Sequence, residues 1–303
     1  MVTQIKSKAK NIVRALRLPF IIASILPFLF GSLIRRGNFN WPGFLTGFLA
    51  VIATHLGANL INDYADSKSG VDWQDRNFYG FFGGSKLIQE AVFSEKFYLY
   101  SSITCFALAF LCVISLALIL QSISVVIFYL IVLFLAFSYS KGPIQFSYRR
   151  LGEIIIFLLF GPVPVMGGYF IQTKMFPDLR SLILSLPFGF LTTAILFANE
   201  IPDFKDDIKA GKFTWVSITG PAQAYILYYV LVFLAFSSIA LSVFMGYSKA
   251  VVLFSFVFII LALKAAGILS EYYDDKARLT KSSKLTIDLQ TFVGTVLIIG
   301  IFL

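Results

Sequence analysis

Residues 181–207 read SLILSLPFGFLTTAILFANEIPDFKDD: nineteen uncharged residues, Ser181 to Asn199, run straight into five charges within eight positions. At about 1.5 Å per residue in a helix, nineteen residues nearly cover the ~30 Å of a bilayer's hydrocarbon. The stretch therefore reads as a membrane-spanning helix that carries a group of carboxylates to one membrane surface. Residues 42–66, PGFLTGFLAVIATHLGANLINDYAD, repeat the arrangement. Asn62-Asp-Tyr-Ala-Asp66 ends one apolar run and Asn199-Glu-Ile-Pro-Asp203 ends the other, so both carry Asn-x-x-x-Asp. At i, i+4 the amide and the carboxylate share one helical face.

The whole chain agrees with this reading. Of its 303 residues 58% are hydrophobic and 14% charged, against roughly 45–50% and about 25% in soluble domains. Its mean hydropathy is +0.84, which excludes a disordered chain, a coiled coil or a water-soluble globule. Nine apolar segments fall near 18–34, 42–61, 98–120, 124–138, 153–172, 181–199, 223–245, 249–270 and 287–303. The expected architecture is an all-α integral membrane protein of nine transmembrane helices in one domain, 1–303. Two four-helix pseudo-repeats and a ninth helix would surround a central cavity, because the two carboxylate clusters lie four helices apart and so face the same side. Two Cys and one His exclude a Cys/His zinc site and a disulfide framework, and Cys105 and Cys112 read as buried thiols in one apolar run. With 34 Phe, the interior has ample phenyl surface.

The net charge of +9 is a matter of orientation and not of nucleic acid. With the N-terminus inside, the inner segments hold 20 Lys and Arg and the outer ones only 5: Arg35, Arg36, Lys174, Arg180 and Lys249. This positive-inside split puts the N-terminus and both Asp-rich segments on the cytoplasmic side of a multi-pass protein of the cell membrane. The basic start lacks a small-x-small cleavage site after its apolar run, so it reads as a first helix and not as a signal peptide.

Half of the 16 acidic residues lie in two windows: Asp63, Asp66, Asp72 and Asp75, then Glu200, Asp203, Asp206 and Asp207. Asp207 extends the second stripe by a turn. In the first, Gly70 takes that place, and a helix ending there lets Asp72 fold back beside Asp66. Pro202 is expected to disturb its helix and free backbone carbonyls. Carboxylates this close repel one another unless a cation intervenes. All-oxygen ligands select Mg²⁺, which prefers to be shared with phosphate oxygens. The expected ligand is thus a diphosphate between the clusters, held through two Mg²⁺ ions, with Asp63, Asp66, Asp72, Asn199, Asp203 and Asp207 as metal ligands. Asn59, Asn62, Tyr139 and the basic residues Lys68, Arg76, Lys86, Lys141, Lys205 and Lys212 are candidates for the diphosphate itself. A diphosphate at the mouth of a Phe-rich membrane cavity points to an isoprenyl diphosphate. Its C–O bond would ionise as charge drains onto metal, and aromatic faces would shelter the allylic cation in a dry site.

These residues resemble the UbiA superfamily of intramembrane prenyltransferases. Its two Asp-rich motifs look like Asn62-Asp-Tyr-Ala-Asp66-Ser-Lys-Ser-Gly70-Val-Asp72 and Asn199-Glu-Ile-Pro-Asp203-Phe-Lys-Asp-Asp207. Leu16-Arg-Leu-Pro-Phe20, Tyr139-Ser-Lys-Gly-Pro143, Tyr148-Arg-Arg-Leu-Gly-Glu153 and Ala210-Gly-Lys-Phe-Thr214 are similar to the family's other segments. Gly70-Val-Asp72, Gly83-Gly-Ser-Lys86 and Phe160-Gly-Pro-Val-Pro-Val-Met-Gly-Gly-Tyr169 look most like its menaquinone-biosynthesis branch. That branch prenylates 1,4-dihydroxy-2-naphthoate. The resemblance implies that Asn62, Asp66, Asp72, Asn199, Asp203 and Asp207 form the magnesium–diphosphate site, with Asp66, Asp72, Asp203 and Asp207 catalytic. Gly70, Glu200, Lys141 and the pair Arg149-Arg150 depart from the pattern of its quinone branches.

His55, two turns before Asn62, reads as a packed neutral residue or a base at the cavity. Glu271, Asp274 and Asp275 read as a solvated loop sharing charge with Lys276 and Arg278. The expected partners are an isoprenyl diphosphate, a lipophilic or aromatic acceptor and membrane lipid, with no obligate protein partner. Two other readings remain open: prenyl transfer to geranylgeranylglyceryl phosphate in ether-lipid synthesis, and a transporter of a phosphorylated lipid.

Overall fold

The computed structural model describes residues 2–35 and 37–303, with side chains from residue 8 onward. Arg36, assigned to the outer flank by the charge count, lies outside the described residues, as does the side chain of Lys6. The named elements are all helices: α1 (Val2–Ala15), α2 (Ile22–Leu33), α3 (Trp41–Ser69) and a single turn α4 (Val71–Gln74) come first. They are followed by α5 (Glu95–Leu120), α6 (Ser124–Ser140), α7 (Gly152–Phe160) and α8 (Pro162–Thr173). The second half continues with α9 (Leu179–Lys209), a short α10 (Val216–Thr219), α11 (Ala224–Phe244), α12 (Ile259–Glu271) and α13 (Lys276–Phe302). A 3₁₀ stretch, Ala250–Phe258, leads into α12.

Each of the nine apolar segments lies within one or two of these helices. The count of spans is more restrained. Among the described residues seven helical stretches are long and apolar enough to cross a bilayer, or eight if residues 8–15 and 18–33, bent by 46°, make one span. Helix α6, at 17 residues, is apolar but shorter than that criterion. Helices α3, α9 and α13 run well past their apolar segments. Asp275 caps the backbone N–H of Arg278, so α13 starts at Lys276 within a polar stretch and reaches its apolar part already wound. Helix α9 runs unbroken through Pro187 and Pro202 to Lys209. The expected disturbance at Pro202 is therefore confined to one missing N–H donor.

Helix packing is matched between the halves: α3 packs chiefly on α5, and α9 on α11. Helix α2 crosses to α8, and α13 closes the ring against α12, α9 and α2. Small residues allow the α2–α8 crossing, where a Cβ on Gly31 would stand 2.1 Å from the carbonyl oxygen of Val165. The largest buried cluster joins α9, α11, α12 and α13 through residues such as Phe188, Phe197, Tyr228 and Leu269. Elsewhere large apolar side chains face outward, Phe233 at 70% and Phe244 at 89% exposure, as lipid-facing positions should. The helices leave a polar cavity at the end of the bundle where α3 and α9 deliver their carboxylates.

Candidate active site

Helix α3 stops where Gly70 adopts a left-handed conformation, φ 88°, which costs a glycine little. The chain then turns through α4, and Asp72 comes back beside Asp66, as the sequence suggested. On α9, Asn199, Asp203 and Asp207 form the second stripe. The two groups meet across one cavity of about 210 Å³ lined by Asn59, Asn62, Asp66, Asp72, Tyr139, Asn199, Asp203, Asp207, Lys86 and Lys212.

The segment following α4 folds over this cavity and joins its two sides. The Gly83 N–H donates to Asp203 Oδ2 at 2.9 Å. Lys86 Nζ lies 3.0 Å from both Asp72 Oδ1 and the Asp72 carbonyl, with 3% of the lysine exposed. Tyr148 donates to Asp66 Oδ1 at 2.9 Å, and Lys212 Nζ stands 3.4 Å from Asp207 Oδ1. Asn62 donates to Ser140 Oγ at 2.6 Å, which orients its amide.

These arrangements set the charge states outside the spans. Burial drives the Asp72 carboxyl up to about 7, with the Asp66 charge adding and the Lys86 ammonium opposing. Burial pulls Lys212 down, but Asp207 and Asp66 outweigh it and hold its pKa well above the usual lysine value. At Asp75 burial pushes up, yet hydrogen bonds from Lys276, Asn77 and Tyr79 prevail and bring the carboxyl to about 2.

Several expected residues are directed elsewhere. Asp63 follows Asn62 by one residue, a rotation of about 100° on the helix, and so leaves the cavity. It is bound instead by Arg17 and by the Ser85 N–H at 3.2 Å. Lys68 pairs with Glu95 at 2.5 Å, Arg76 lies over the Trp73 ring and Lys141 over the Tyr64 ring. Lys205 pairs with Asp274 on the surface at 2.6 Å. None of these five lines the cavity, because each side chain finds a local partner first.

Other residues join the site that the sequence did not single out. Arg17 lines the cavity from the bend between α1 and α2. Lys276, read as part of a solvated loop, bridges Asp75 Oδ2 at 2.8 Å and Asp206 Oδ2 at 2.7 Å. Its separation of 201 residues from Asp75 hides this pairing from any local pattern. Tyr148 could have been suspected only from the family-like segment that holds it. Glu200 is buried, hydrogen-bonds Glu153 and lines the cavity.

The donor set suits a hard cation. Among the described residues, Oδ2 of Asp207, Oδ1 of Asn199 and Oε2 of Glu200 are buried without a hydrogen bond, and Oδ1 of Asp207 has only its ion pair with Lys212. These are oxygen atoms, as Mg²⁺ requires. Among the described residues no three His, Cys, Asp or Glu side chains converge into a ready metal cage.

Below this polar cavity lies an apolar one of about 780 Å³. The two share His55, Ala58, Ala136, Leu159 and Phe160, so a molecule can occupy both. The apolar cavity follows α3, α6 and α8 to Gln121, Ser122 and Lys174 at the opposite helix ends. Eight of the 34 Phe line the two cavities, and the others pack between helices or face outward.

A multi-pass helical membrane protein with paired Asn/Asp stripes over an apolar tunnel has the form of an enzyme for amphipathic substrates. The profile of the UbiA prenyltransferase family matches residues 24–287, and the chain belongs to that family. It is a prenyltransferase. The chain is 33% identical over 237 residues to the UbiA prenyltransferase domain-containing protein 1 of Gallus gallus, covering 76% of this chain and 68% of that protein. Among solved structures, a UbiA homolog from Aeropyrum pernix K1 has the same fold at TM-score 0.70 and 16% identity, over 92% of this chain and 97% of that one. A UbiA homolog from Archaeoglobus fulgidus bound to GPP and Mg²⁺ matches at TM-score 0.57 and 15% identity, over 95% and 99%. A digeranylgeranylglyceryl phosphate synthase matches at TM-score 0.64 and 20% identity, over 97% and 99%.

Proposed function

We propose that this enzyme transfers a polyprenyl group from an isoprenyl diphosphate to a dihydroxynaphthoate-like aromatic acceptor in quinone biosynthesis. The observation that carries the transfer reading is the polar cavity opening into a long apolar one, which fits a diphosphate head and an isoprenoid tail in register. Asp66, Asp72, Asn199, Asp203 and Asp207 would hold two Mg²⁺ ions against the diphosphate. Bound there, the metal would withdraw electron density from the diphosphate as its C–O bond breaks. Lys86, Lys212, Lys276 and Arg17 line the same space and exchange their carboxylate partners for phosphate oxygens. Tyr148 orients Asp66, and Asn62, Asn59 and Tyr139 border the diphosphate. Phe160 and Phe82 present aromatic faces near the reacting carbon, and the enclosing helices exclude water. The naphthoate-like acceptor rests on the branch-like segments Gly70-Val-Asp72 and Gly83-Gly-Ser-Lys86, both of which border the site.

The whole chain acts as one transmembrane domain. If α6 and the bent α1–α2 pair cross as well, the spans number nine. The excess of Lys and Arg at the carboxylate end supports an orientation with that end and the N-terminus in the cytoplasm, for a protein of the cell membrane. The likeness to digeranylgeranylglyceryl phosphate synthase supports a second acceptor, geranylgeranylglyceryl phosphate. The deciding experiment gives purified enzyme radiolabelled geranylgeranyl diphosphate with Mg²⁺ and either dihydroxynaphthoate, 4-hydroxybenzoate or geranylgeranylglyceryl phosphate. Label in the naphthoate product alone supports the first reading. Label in the glyceryl lipid alone replaces it with the second, and transfer that persists in EDTA removes the metal from the proposal.

A further inference from the structure

The two halves of the protein place a second polar level beneath the carboxylates. His55 precedes Asn62 by seven residues on α3, and Thr192 precedes Asn199 by seven on α9. Seven residues descend about 10 Å, two turns, along either helix. Both side chains line the polar cavity, and His55 lines the apolar one too. His55 is 6% exposed, its Nδ1 lies 2.8 Å from Ser24 Oγ, and its ring stands edge-on to Phe160. Among the described residues its Nε2 has no partner. Across the cavity, Thr192 receives a hydrogen bond from buried Gln290, whose Oε1 is also unpartnered.

A buried unpaired ring nitrogen costs about 1–3 kcal/mol, so its retention at the junction of two cavities calls for a ligand atom. The diphosphate cannot supply it, since its oxygens are held two turns nearer the membrane surface by the carboxylates. The isoprenoid tail cannot either, because it carries no polar atom. The acceptor is the remaining molecule of the reaction. The level also limits what the acceptor can be. The apolar cavity has one lysine in its lining, Lys174 at the far end, and no arginine. The basic residues of the polar cavity, Arg17, Lys86, Lys212 and Lys276, are paired with carboxylates of the Asp-rich segments, so a phosphate at this depth would have no counter-charge of its own, whereas a neutral hydroxyl or keto oxygen needs none.

We propose that His55 Nε2 binds a ring hydroxyl or keto oxygen of the acceptor, with Ser24 fixing the imidazole and Thr192 bounding the same level from α9. This inference rests on the prenyl-transfer reading and narrows its acceptor to a hydroxylated aromatic whose polar edge reaches the neck between the cavities. Either tautomer serves: Nε2 accepts from a hydroxyl when Nδ1 carries the proton, and donates to an oxygen when it does not.

The test compares steady-state kinetics of the full chain in lipid nanodiscs with Mg²⁺, geranylgeranyl diphosphate and two acceptors. These are 1,4-dihydroxy-2-naphthoate and 1-hydroxy-2-naphthoate, which lacks one ring hydroxyl. His55→Leu is expected to raise the KM for the dihydroxy acceptor roughly 10- to 100-fold. The KM for the diphosphate should stay within about twofold, because no interaction with it is lost. Preference for the dihydroxy acceptor should collapse in His55→Leu and largely return in His55→Gln, whose amide can reach the position of Nε2. An unchanged acceptor KM and preference, or a parallel rise in both KM values, would overturn the assignment. If His55→Leu does not fold, Thr192→Val and Ser24→Ala carry the test, and loss of acceptor preference without a change in diphosphate KM is again the required result. Wild-type enzyme that prenylates neither naphthoate would refute the aromatic-acceptor reading itself, which separates the two failures.

Discussion

Replacing Lys86 by methionine keeps the length of its apolar stem and removes the ammonium with both of its hydrogen bonds to Asp72. Both partners are buried, and the ammonium stands 3.0 Å from Asp72 Oδ1. In the wild type without metal, Asp72 titrates at about 7 in the fold against 3.8 when unperturbed. The folded protein therefore holds a proton that the unfolded chain has released. The associated stability is fully present below the unfolded value and is lost as pH rises through the folded one. Between pH 6 and 8 that loss amounts to about 1.4 kcal/mol. Without Lys86 the carboxyl moves further up, and its loss over the same interval grows toward the ceiling of about 2.7 kcal/mol that a single proton sets over two pH units. The variant should thus fall further than wild type, by at most about 1.3 kcal/mol, which corresponds to at most roughly 3 °C in Tm. Thermal unfolding followed by tryptophan fluorescence in detergent with EDTA, at pH 6 and pH 8, reads this difference directly. Equal pH dependence in the two proteins would refute the claim that Lys86 sustains the Asp72 charge. A larger dependence in the wild type would reverse its sign.

Three further outcomes are expected. Asp66→Asn or Asp203→Asn should lower Mg²⁺-dependent transfer at least ~100-fold while the protein still inserts and keeps its helical circular dichroism, and near-normal turnover in both would remove the carboxylates from the chemistry. Apparent Mg²⁺ affinity should strengthen about tenfold from pH 6 to pH 8, because the ion must displace the proton of Asp72, and a flat titration by calorimetry would show that Asp72 is not a ligand. Gly31→Ala should lower Tm by several degrees, since its methyl would meet the Val165 backbone where α2 and α8 cross; unchanged stability would show that α2 and α8 can separate freely.

The parts of the structure legible in the sequence are those set by local period and local chemistry. The apolar segment 181–199 had to be a helix, and the i, i+4 spacing of Asn199, Asp203 and Asp207 had to share a face. Gly70 marked the turn that returns Asp72 to Asp66. The start of α13 was not legible, because Lys276–Lys284 is polar and only the Asp275 cap announces the helix. Basic residues were hardest to assign. Lys68, Arg76 and Lys141 lie near the first cluster or the segment after α6, yet Glu95, Trp73 and Tyr64 engage them. Lys276 lies far away in sequence and reaches Asp75 and Asp206 because α13 packs beside α9. A long flexible cation can serve any of several partners, so spacing along the chain constrains it less than it does a short carboxylate.

The wall of the apolar cavity is thin. Helix α6 lines it through Ile127 and Ile131, while Leu130 and Phe134 of the same helix do not line it and are 48% and 52% exposed. A single helix therefore separates an isoprenoid tail from the acyl chains of the bilayer. The solvent that the tail leaves on binding is then lipid and not water, so transferring its apolar surface contributes little to affinity. Selectivity for the donor substrate has to come from the diphosphate end. The membrane acts as both store and rival for that tail, and a KM for a long-chain donor is a mole fraction in lipid before it is a concentration in water.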